Sequence, residues 1–483
     1  MTLDAAICYR ALASRDARFD GRFFTGVTST GIYCRPICPA RTPSRAHVRF
    51  YACASAAEAD GFRPCRRCRP DTAPGTPAWQ GAPATVARGL RLIRDGALDE
   101  HGIDRFADRL GLSARQVRRL FETHLGAAPT DIARTRRVHF ARMLLDDPSL
   151  GLTDIAFASG FRSVRQFNHA FQQTFKAAPR TLRSRARPTR DSITLRLGFR
   201  PPLDVVWLMQ LLAGRAAPGV ERVEDGIYRR TVAIAGGEGW IEVSNKEGRR
   251  QGVRYLVVRA SPSLGPHLMH VAARTRRMFD LDADPATIER ALSSDPRLAA
   301  AIRARHGLRV PGAWHPWEIA MRAIVGQQVS VEAASTLVGR IVERAGTPIE
   351  TPFDGLTRLF PAPGAVAAAD LSNIGMPGAR AATVKRVAAG LAAGAIRLEI
   401  GQGYDATVRE LCSIQGIGPW TAEYIALRAL GEPDAFPAGD LGLRKALGNG
   451  APASERDVAT AAEAWRPWRG YAAMYLWSGA IKS

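Results

Sequence analysis

Cysteine is scarce, with seven in 483 residues. That is too few for a disulfide framework at this length, so the thiols are left for a metal or for chemistry in a reducing compartment. Long apolar runs are missing: no stretch approaches the ~18 residues of a membrane helix. The N-terminus MTLDAAICYR also lacks the charged-then-apolar pattern of an export signal. These absences predict a soluble, cytoplasmic protein with no membrane partner. Acidic residues are in short supply, 45 Asp+Glu against 67 Lys+Arg, giving a formal net charge of +22. An imbalance of that size points to a polyanionic partner. It is concentrated early, since residues 1–190 hold 32 Lys+Arg and 16 Asp+Glu, which leaves +16 of the +22 there.

At 483 residues the chain exceeds the size at which one core stops growing, so two to four domains are expected. A Pro/Gly/Ala-rich break, DTAPGTPAWQGAP, covers 71–83, and a basic break, RSRARPTR, covers 183–190. Between them the chain repeats itself. Ala107 and Gly111 recur as Ala156 and Gly160, 49 positions on; Ser113, Val117, Phe121 and Pro129 recur as Ser163, Phe167, Phe171 and Pro179, 50 on. From 190 to about 270, the segments ITLRL, YRRTVAI, GWIEVSN and YLVVRA are short, β-branched and bounded by Gly or Pro, which predicts an antiparallel sheet. Beyond that, helical periodicity dominates.

The cysteines pair in two close sets, Cys34 with Cys38 in TGIYCRPICPAR and Cys65 with Cys68 in PCRRCRP. Two such pairs supply the four thiolates of one tetrahedral Zn²⁺. The site is either purely structural or, with Arg35, Arg41, Arg66, Arg67 and Arg69 around it, turned toward a phosphate backbone. Cys8 and Cys53 lack this pairing and read as plain buried thiols.

The patterns TSTGIYCRP and FRPCRRC resemble the N-terminal domain of the Ada family, the methylphosphotriester repair proteins. The resemblance implies that Cys34, the first ligand, takes the methyl of a neutral methylated DNA phosphate and keeps it irreversibly. It also places Thr30, Arg41 and Arg67 at phosphate-contacting positions. The chemistry is sound, because four thiolates around Zn²⁺ carry a net charge of about −2 and leave the sulfur nucleophilic. Methylation would lower that to about −1 and reduce repulsion by DNA phosphates, a damage-sensing switch.

Each copy of the central repeat reads as helix, Gly turn, helix, the second helix opening at Ser113 or Ser163, where a serine hydroxyl can cap free N–H groups. Two helix-turn-helix units about fifty residues apart resemble the AraC-type DNA-binding domain, carried here by FADRLGLSARQVRRLFETHLGAAP and IAFASGFRSVRQFNHAFQQTFKAAP. That arrangement implies two recognition helices in major grooves about 34 Å apart. Ser113, Arg115, Gln116 and Arg119, then Ser163, Arg165, Gln166 and His169, are the expected base or phosphate contacts. Phe121, Phe167, Phe171 and Phe175 are expected in the core. A helical bundle with a solvated basic face is the bland alternative.

CSIQGIGPWTAEYIALRAL, 412–430, sets a Gly416-x-Gly418 turn between two helices, whose backbone N–H groups can bind a phosphate. Asp440 stands in FPAGDLGLRKAL twenty-two residues after Gly418, and Trp420, Tyr424 and Trp477 are available as aromatic walls. With PPLDVVWLMQLLAGR, RMFDLDADP, RAIVGQQVSVEAA, GMPGARA and WRPWRGYAAMYLW, this half resembles the helix-hairpin-helix DNA glycosylases of the 3-methyladenine II (AlkA) type. The resemblance implies that Asp440 is catalytic rather than only the cap of the helix starting at Leu441. It implies an aromatic pocket that favours cationic alkylpurines and hairpin contacts to DNA through Gly416 and Gly418, with room for a monovalent cation there. Strand-cutting relatives carry a lysine just after the hairpin glycine, where this chain has Trp420, so excision is expected to leave an abasic site. The family's wedge is a leucine; the matching position is Gln328, after Gln327. No Pro-Cys-His-Arg motif occurs, so O6-methylguanine repair is not expected.

The resulting expectation is a multidomain α+β protein: a zinc-bound α/β module (1–75), an all-α double helix-turn-helix domain (84–186), an antiparallel-sheet domain with connector (190–300) and an all-α glycosylase domain (301–483). Its partners would be double-stranded DNA, alkylated and promoter, and RNA polymerase, with the protein acting as a nucleoid-associated bacterial monomer. The rivals are a damage-responsive regulator whose glycosylase half is inactive and a pure repair enzyme that uses the helical middle only for affinity.

Overall fold

The computed structural model describes residues 3–74, 84–184, 191–234, 236–245, 254–399 and 403–480. Most of the first break (75–83) and of the basic break (185–190) lies outside the described residues. The architecture is multidomain α+β, and no helix among the described residues is long and apolar enough to cross a membrane.

The first module is built on β1 (Phe24–Val27), β2 (Ile32–Cys34), β3 (Val48–Tyr51) and β4 (Arg63–Pro64), ordered β3-β1-β2-β4. β1 pairs antiparallel with β2 and β3, while β4 runs parallel to β2 with Tyr33 opposite Pro64. That parallel register brings the end of β2, which carries Cys34, beside the start of the Cys65–Cys68 turn; Cys65 N–H donates to the Tyr33 carbonyl (3.0 Å).

Both helix-turn-helix units form as their local code dictates. Ser113 caps Ala114–Leu125 through Gln116 N–H, and the Gln116 side chain returns a bond to Ser113 N–H (3.0 Å), a reciprocal capping box. Ser163 caps Val164–Phe175 in the same way (3.2 Å to Gln166 N–H), while the Gln166 side chain accepts from Arg162 N–H. Gly111 and Gly160 turn at φ +70 and +76. Phe121, Phe167, Phe171 and Phe175 are buried, as the repeat predicts.

The two units do not share one core. The first packs with Cys53 and Ala56 of the sulfur-bearing module around Phe106, Val117 and Phe121. Phe167, Phe171 and Phe175 of the second instead belong to a core that continues into Ile193, Leu195, Trp207 and the sheet beyond. Asp147 of the regulator accepts from Thr194 N–H (2.7 Å), and a Cβ at Gly160 would stand 2.8 Å from the Met269 methyl. Short apolar patches near 140–200 are thus satisfied across the expected boundary rather than within one domain.

The next sheet holds β5 (Ile193–Gly198), β6 (Glu221–Glu224), β7 (Ile227–Ile234), β8 (Gly237–Ser244) and β9 (Tyr255–Ala260), ordered β5-β9-β8-β7-β6 and antiparallel throughout. Four of these strands are the predicted segments. The fifth, β6, was not expected, because its sequence ERVE is charged; it is an edge strand. The helix Val205–Ala213, capped by Asp204, also interrupts the region read as sheet. The remainder is helical, and a second large core gathers around Trp317, Ile324, Ile341 and Ile425.

Candidate functional site: four sulfurs and an indole-held carboxylate

The ligand atoms of Cys34, Cys38, Cys65 and Cys68 all lie within 4.8 Å of one another. A tetrahedral zinc with bonds of ~2.3 Å needs sulfurs roughly 3.8 Å apart, so this donor set fits one Zn²⁺. Hydrogen bonds with Cys34 draw the Cys38 and Cys65 thiols down, while hydrogen bonds with Cys38 and Cys65 push Cys34 up and one with Cys34 pushes Cys68 up, so holding all four as thiolates falls to a bound cation. Cys38, Cys65 and Cys68 are buried; Cys34 alone keeps a partly open face. Cys8 and Cys53 lie apart, and burial pushes each thiol up to about 11.

The arginines expected around the cluster divide into two sets. Arg41, Arg66 and Arg67 are exposed, as is Thr30, whose hydroxyl bonds the Val27 carbonyl. Arg35 is fully buried on Asp20, and Arg69 is buried between Asp71 and Asp146. A guanidinium next to a buried carboxylate is held inside by charge and geometry together; spacing along the chain cannot reveal that.

On the recognition helices, Arg115, Gln116 and Arg119, and Arg165, Gln166 and His169, are exposed, with Ser113 and Ser163 at the helix starts. Each glutamine spends its side-chain oxygen on the local backbone, leaving its amide N–H₂ outward.

In the C-terminal half the hairpin joins Tyr404–Cys412 to Pro419–Arg428. Gly416 sits at φ +94 with its absent Cβ 2.2 Å from the Thr383 hydroxyl, so only glycine fits. Gly418 is open, with nothing within 4 Å of its would-be Cβ. Asp440 caps Leu441–Ala446, its Oδ1 accepting from Leu443 N–H (3.0 Å). It does more than cap: Trp477 Nε1–H donates to Oδ1 (2.9 Å) and Trp420 Nε1–H to Oδ2 (2.9 Å). Trp420 stacks on Tyr424 with centroids 5.4 Å apart at 18°, and Tyr424 meets Trp477 at 6.2 Å. The structure therefore gathers Asp440, Trp420, Tyr424 and Trp477 into one half-buried cluster behind the hairpin.

Gln327 does not reach outward. Its amide N–H₂ donates to the Gly416 carbonyl and the Thr421 hydroxyl, both at 3.0 Å, which ties its loop to the hairpin. Gln328 is exposed beside it at φ +58. The Gln415 carbonyl accepts from Arg386 (2.9 Å), so two hairpin carbonyls already have protein donors and a monovalent cation is not required to satisfy them.

Arg428 escaped the sequence reading. It is buried, donates to Tyr424 Oη (3.1 Å) and lies over that ring at 5.6 Å. Burial pushes the Tyr424 phenol up, but Arg428 and Arg215 outweigh it and leave it below its ordinary value. The available signal was spacing, since Arg428 follows Tyr424 by four residues on one helix face. Glu423, the other hidden member, accepts from Tyr404 (2.6 Å) and from Phe436 N–H (2.9 Å), bracing the loop that leads to Asp440.

The "probable bifunctional transcriptional activator/DNA repair enzyme AlkA" of Mycobacterium tuberculosis is 42% identical over 479 residues, covering 98% of this chain and 95% of its own. The chain belongs to this family of Ada/AlkA fusions. Three domain models match its parts: the metal-binding domain of Ada at residues 7–71, a helix-turn-helix domain at 106–185 and the AlkA N-terminal domain at 194–315. DNA-3-methyladenine glycosylase 2 of Escherichia coli is 34% identical over 284 residues, covering 58% of this fusion and 95% of itself. The Escherichia coli activator and repair enzyme Ada is 37% identical over 121 residues, 25% of this fusion and 33% of its own chain.

Proposed function

We propose that this fusion repairs alkylated double-stranded DNA by two chemistries and reports the damage through its helix-turn-helix units. Its C-terminal half excises alkylated purines such as 3-methyladenine by hydrolysis. The observation that carries this is the Asp440 carboxylate held by two indole N–H groups directly behind the hairpin. Among the described residues Oδ2 accepts only from Trp420, so a lone pair remains for the reacting sugar. A carboxylate fixed there stabilises positive charge developing at the flipped nucleotide as the base departs, or takes a proton from the attacking water. Trp420, Tyr424 and Trp477 supply π-faces that favour a cationic base by about 0.5–2 kcal/mol over a neutral one. Among the described residues no amine is hydrogen-bonded to Asp440, and Trp420 fills the place of a Schiff-base lysine, so the product is an abasic site. Gln328 fills the gap left by the flipped nucleotide, hydrogen-bonding the orphaned partner base, while Gln327 holds its loop to the hairpin.

In the N-terminal module Cys38, Cys65, Cys68 and Cys34 hold one zinc, which when bound keeps the sulfurs as thiolates at neutral pH. Cys34, the accessible one, takes the methyl of a methylphosphotriester, with Thr30, Arg41 and Arg67 along the backbone. The cluster thereby loses one negative charge, phosphate repulsion falls and sequence-specific binding through Arg115, Arg119, Arg165 and His169 rises.

The test is release of free base from a duplex carrying 3-methyladenine, with the strand examined before alkali treatment. The expected products are free base and an intact strand that breaks only in alkali. Retention of the base overturns the excision reading; a strand nicked without alkali overturns the monofunctional one.

A further inference from the structure

We propose that methylation of Cys34 is transmitted to the glycosylase half through a buried pin formed by Arg35, Asp20 and Arg200. This rests on Cys34 as the methyl acceptor. Cys34 ends β2, and its two chain neighbours lead toward different parts of the molecule, Tyr33 to the regulator helix and Arg35, within its own module, to Asp20. Tyr33 donates its hydroxyl to Glu58 (2.8 Å), whose carboxylate also takes the Thr135 hydroxyl (2.8 Å) and lies 3.0 Å from His139 Nε2, both on the regulator helix Pro129–Leu144. Arg35 runs the other way. Its Nε donates to Asp20 Oδ1 (2.7 Å), its Nη1 to the Thr72 hydroxyl (2.9 Å) and the Cys68 carbonyl (3.2 Å), and its backbone N–H to Cys68 Sγ (3.4 Å).

Asp20 then passes the contact across the boundary. Its carbonyl accepts from Arg200 Nε (2.9 Å), and Arg200, fully buried, donates Nη1 to the Asp282 carbonyl (2.8 Å). The Arg200 carbonyl accepts from Arg309 (2.6 Å), and the Asp282 carboxylate pairs with Arg94 from the regulator (2.8 Å). Arg22 reinforces the joint on Asp284 at 3.3 Å. The intervening loop has no slack, because Gly21 lies at φ +71 with its absent Cβ 2.1 Å from the Pro74 carbonyl. Arg35 is therefore a buried cation shared between the sulfur cluster and the side chain of Asp20, the residue whose backbone carbonyl fastens the two halves.

Transfer breaks the methyl C–O bond of the phosphotriester and forms the Cys34 S–C bond; the electron pair of the C–O bond and its negative charge stay on the phosphate. The cluster beside Arg35 is then less anionic, and a buried cation that loses a neighbouring anion is less well held. The docked arrangement of Asp20 on Arg200 then loosens.

Hydrogen exchange on the full-length zinc-loaded protein tests this, comparing unmodified protein with protein treated with a methylphosphotriester oligonucleotide and shown by peptide mass to carry one methyl on Cys34. Segments 198–203 and 280–284 are expected to exchange about fivefold faster or more after methylation. In Asp20→Asn, and more mildly in Thr72→Val, the same methyl uptake should leave those segments unchanged. A change confined to 24–72 in the unaltered protein overturns the pin, as does an undiminished change in both variants. If the oligonucleotide leaves no methyl on Cys34, the acceptor reading falls by itself. Methylation of that sulfur with iodomethane then puts the same question to the pin, with the same two outcomes.

Discussion

The sulfur cluster and the Asp440 site hold an anion for reaction by different physical means. At the first, four soft donors crowd together, and a divalent cation lets all four stay thiolates at once. At the second, the carboxylate's partners among the described residues are two neutral indole N–H groups and one backbone N–H. Uncharged donors fix the carboxylate without neutralising it, which suits the role proposed for Asp440, facing positive charge that develops on a sugar. A metal-held thiolate suits transfer from an already neutral phosphotriester, where nucleophilicity matters more than field.

Breaking either anion separates the two chemistries. Cys34→Ala should abolish methyl uptake entirely, measured by peptide mass after incubation with methylphosphotriester DNA; uptake on another cysteine contradicts the assignment. Asp440→Asn should lower single-turnover excision of 3-methyladenine by about 10²–10⁴-fold while leaving methyl uptake intact. Trp477→Phe keeps an aromatic wall but removes one charge-assisted bond to Asp440, with a loss of about tenfold. An unchanged rate would mean that the indole N–H only packs. The smallest effect concerns the approach to DNA: Arg67→Gln should reduce the slope of log affinity against log salt by about 0.9 for phosphotriester DNA. Arg35→Gln should instead lower the melting temperature, because that guanidinium is buried on Asp20.

Much of both sites was legible in the sequence because each depends on short spacing. The Cys-x₃-Cys and Cys-x₂-Cys pairs specify the cluster, and the glycine hairpin with Asp440 downstream specifies the carboxylate. The helix-turn-helix repeat was legible because serine caps and turn glycines act locally. What stayed hidden depends on tertiary neighbours. Nothing near Arg35 in the chain distinguishes it from the exposed Arg66 and Arg67, since Asp20 reaches it through folding; Arg69 has Asp71 two residues on, but Asp146 also reaches it only through folding. The bond from Gln327 to the hairpin spans 89 residues. The continuity of the second helix-turn-helix core with the sheet likewise reflects apolar faces whose partner the sequence does not specify.

The most direct measurement incubates full-length zinc-loaded protein with a duplex carrying both 3-methyladenine and a methylphosphotriester, and scores free base and sulfur-bound methyl from one tube. The expected result is one methyl on Cys34 together with catalytic release of 3-methyladenine, the release alone collapsing in Asp440→Asn. Base release undiminished in that variant, or methyl absent from Cys34, would contradict it.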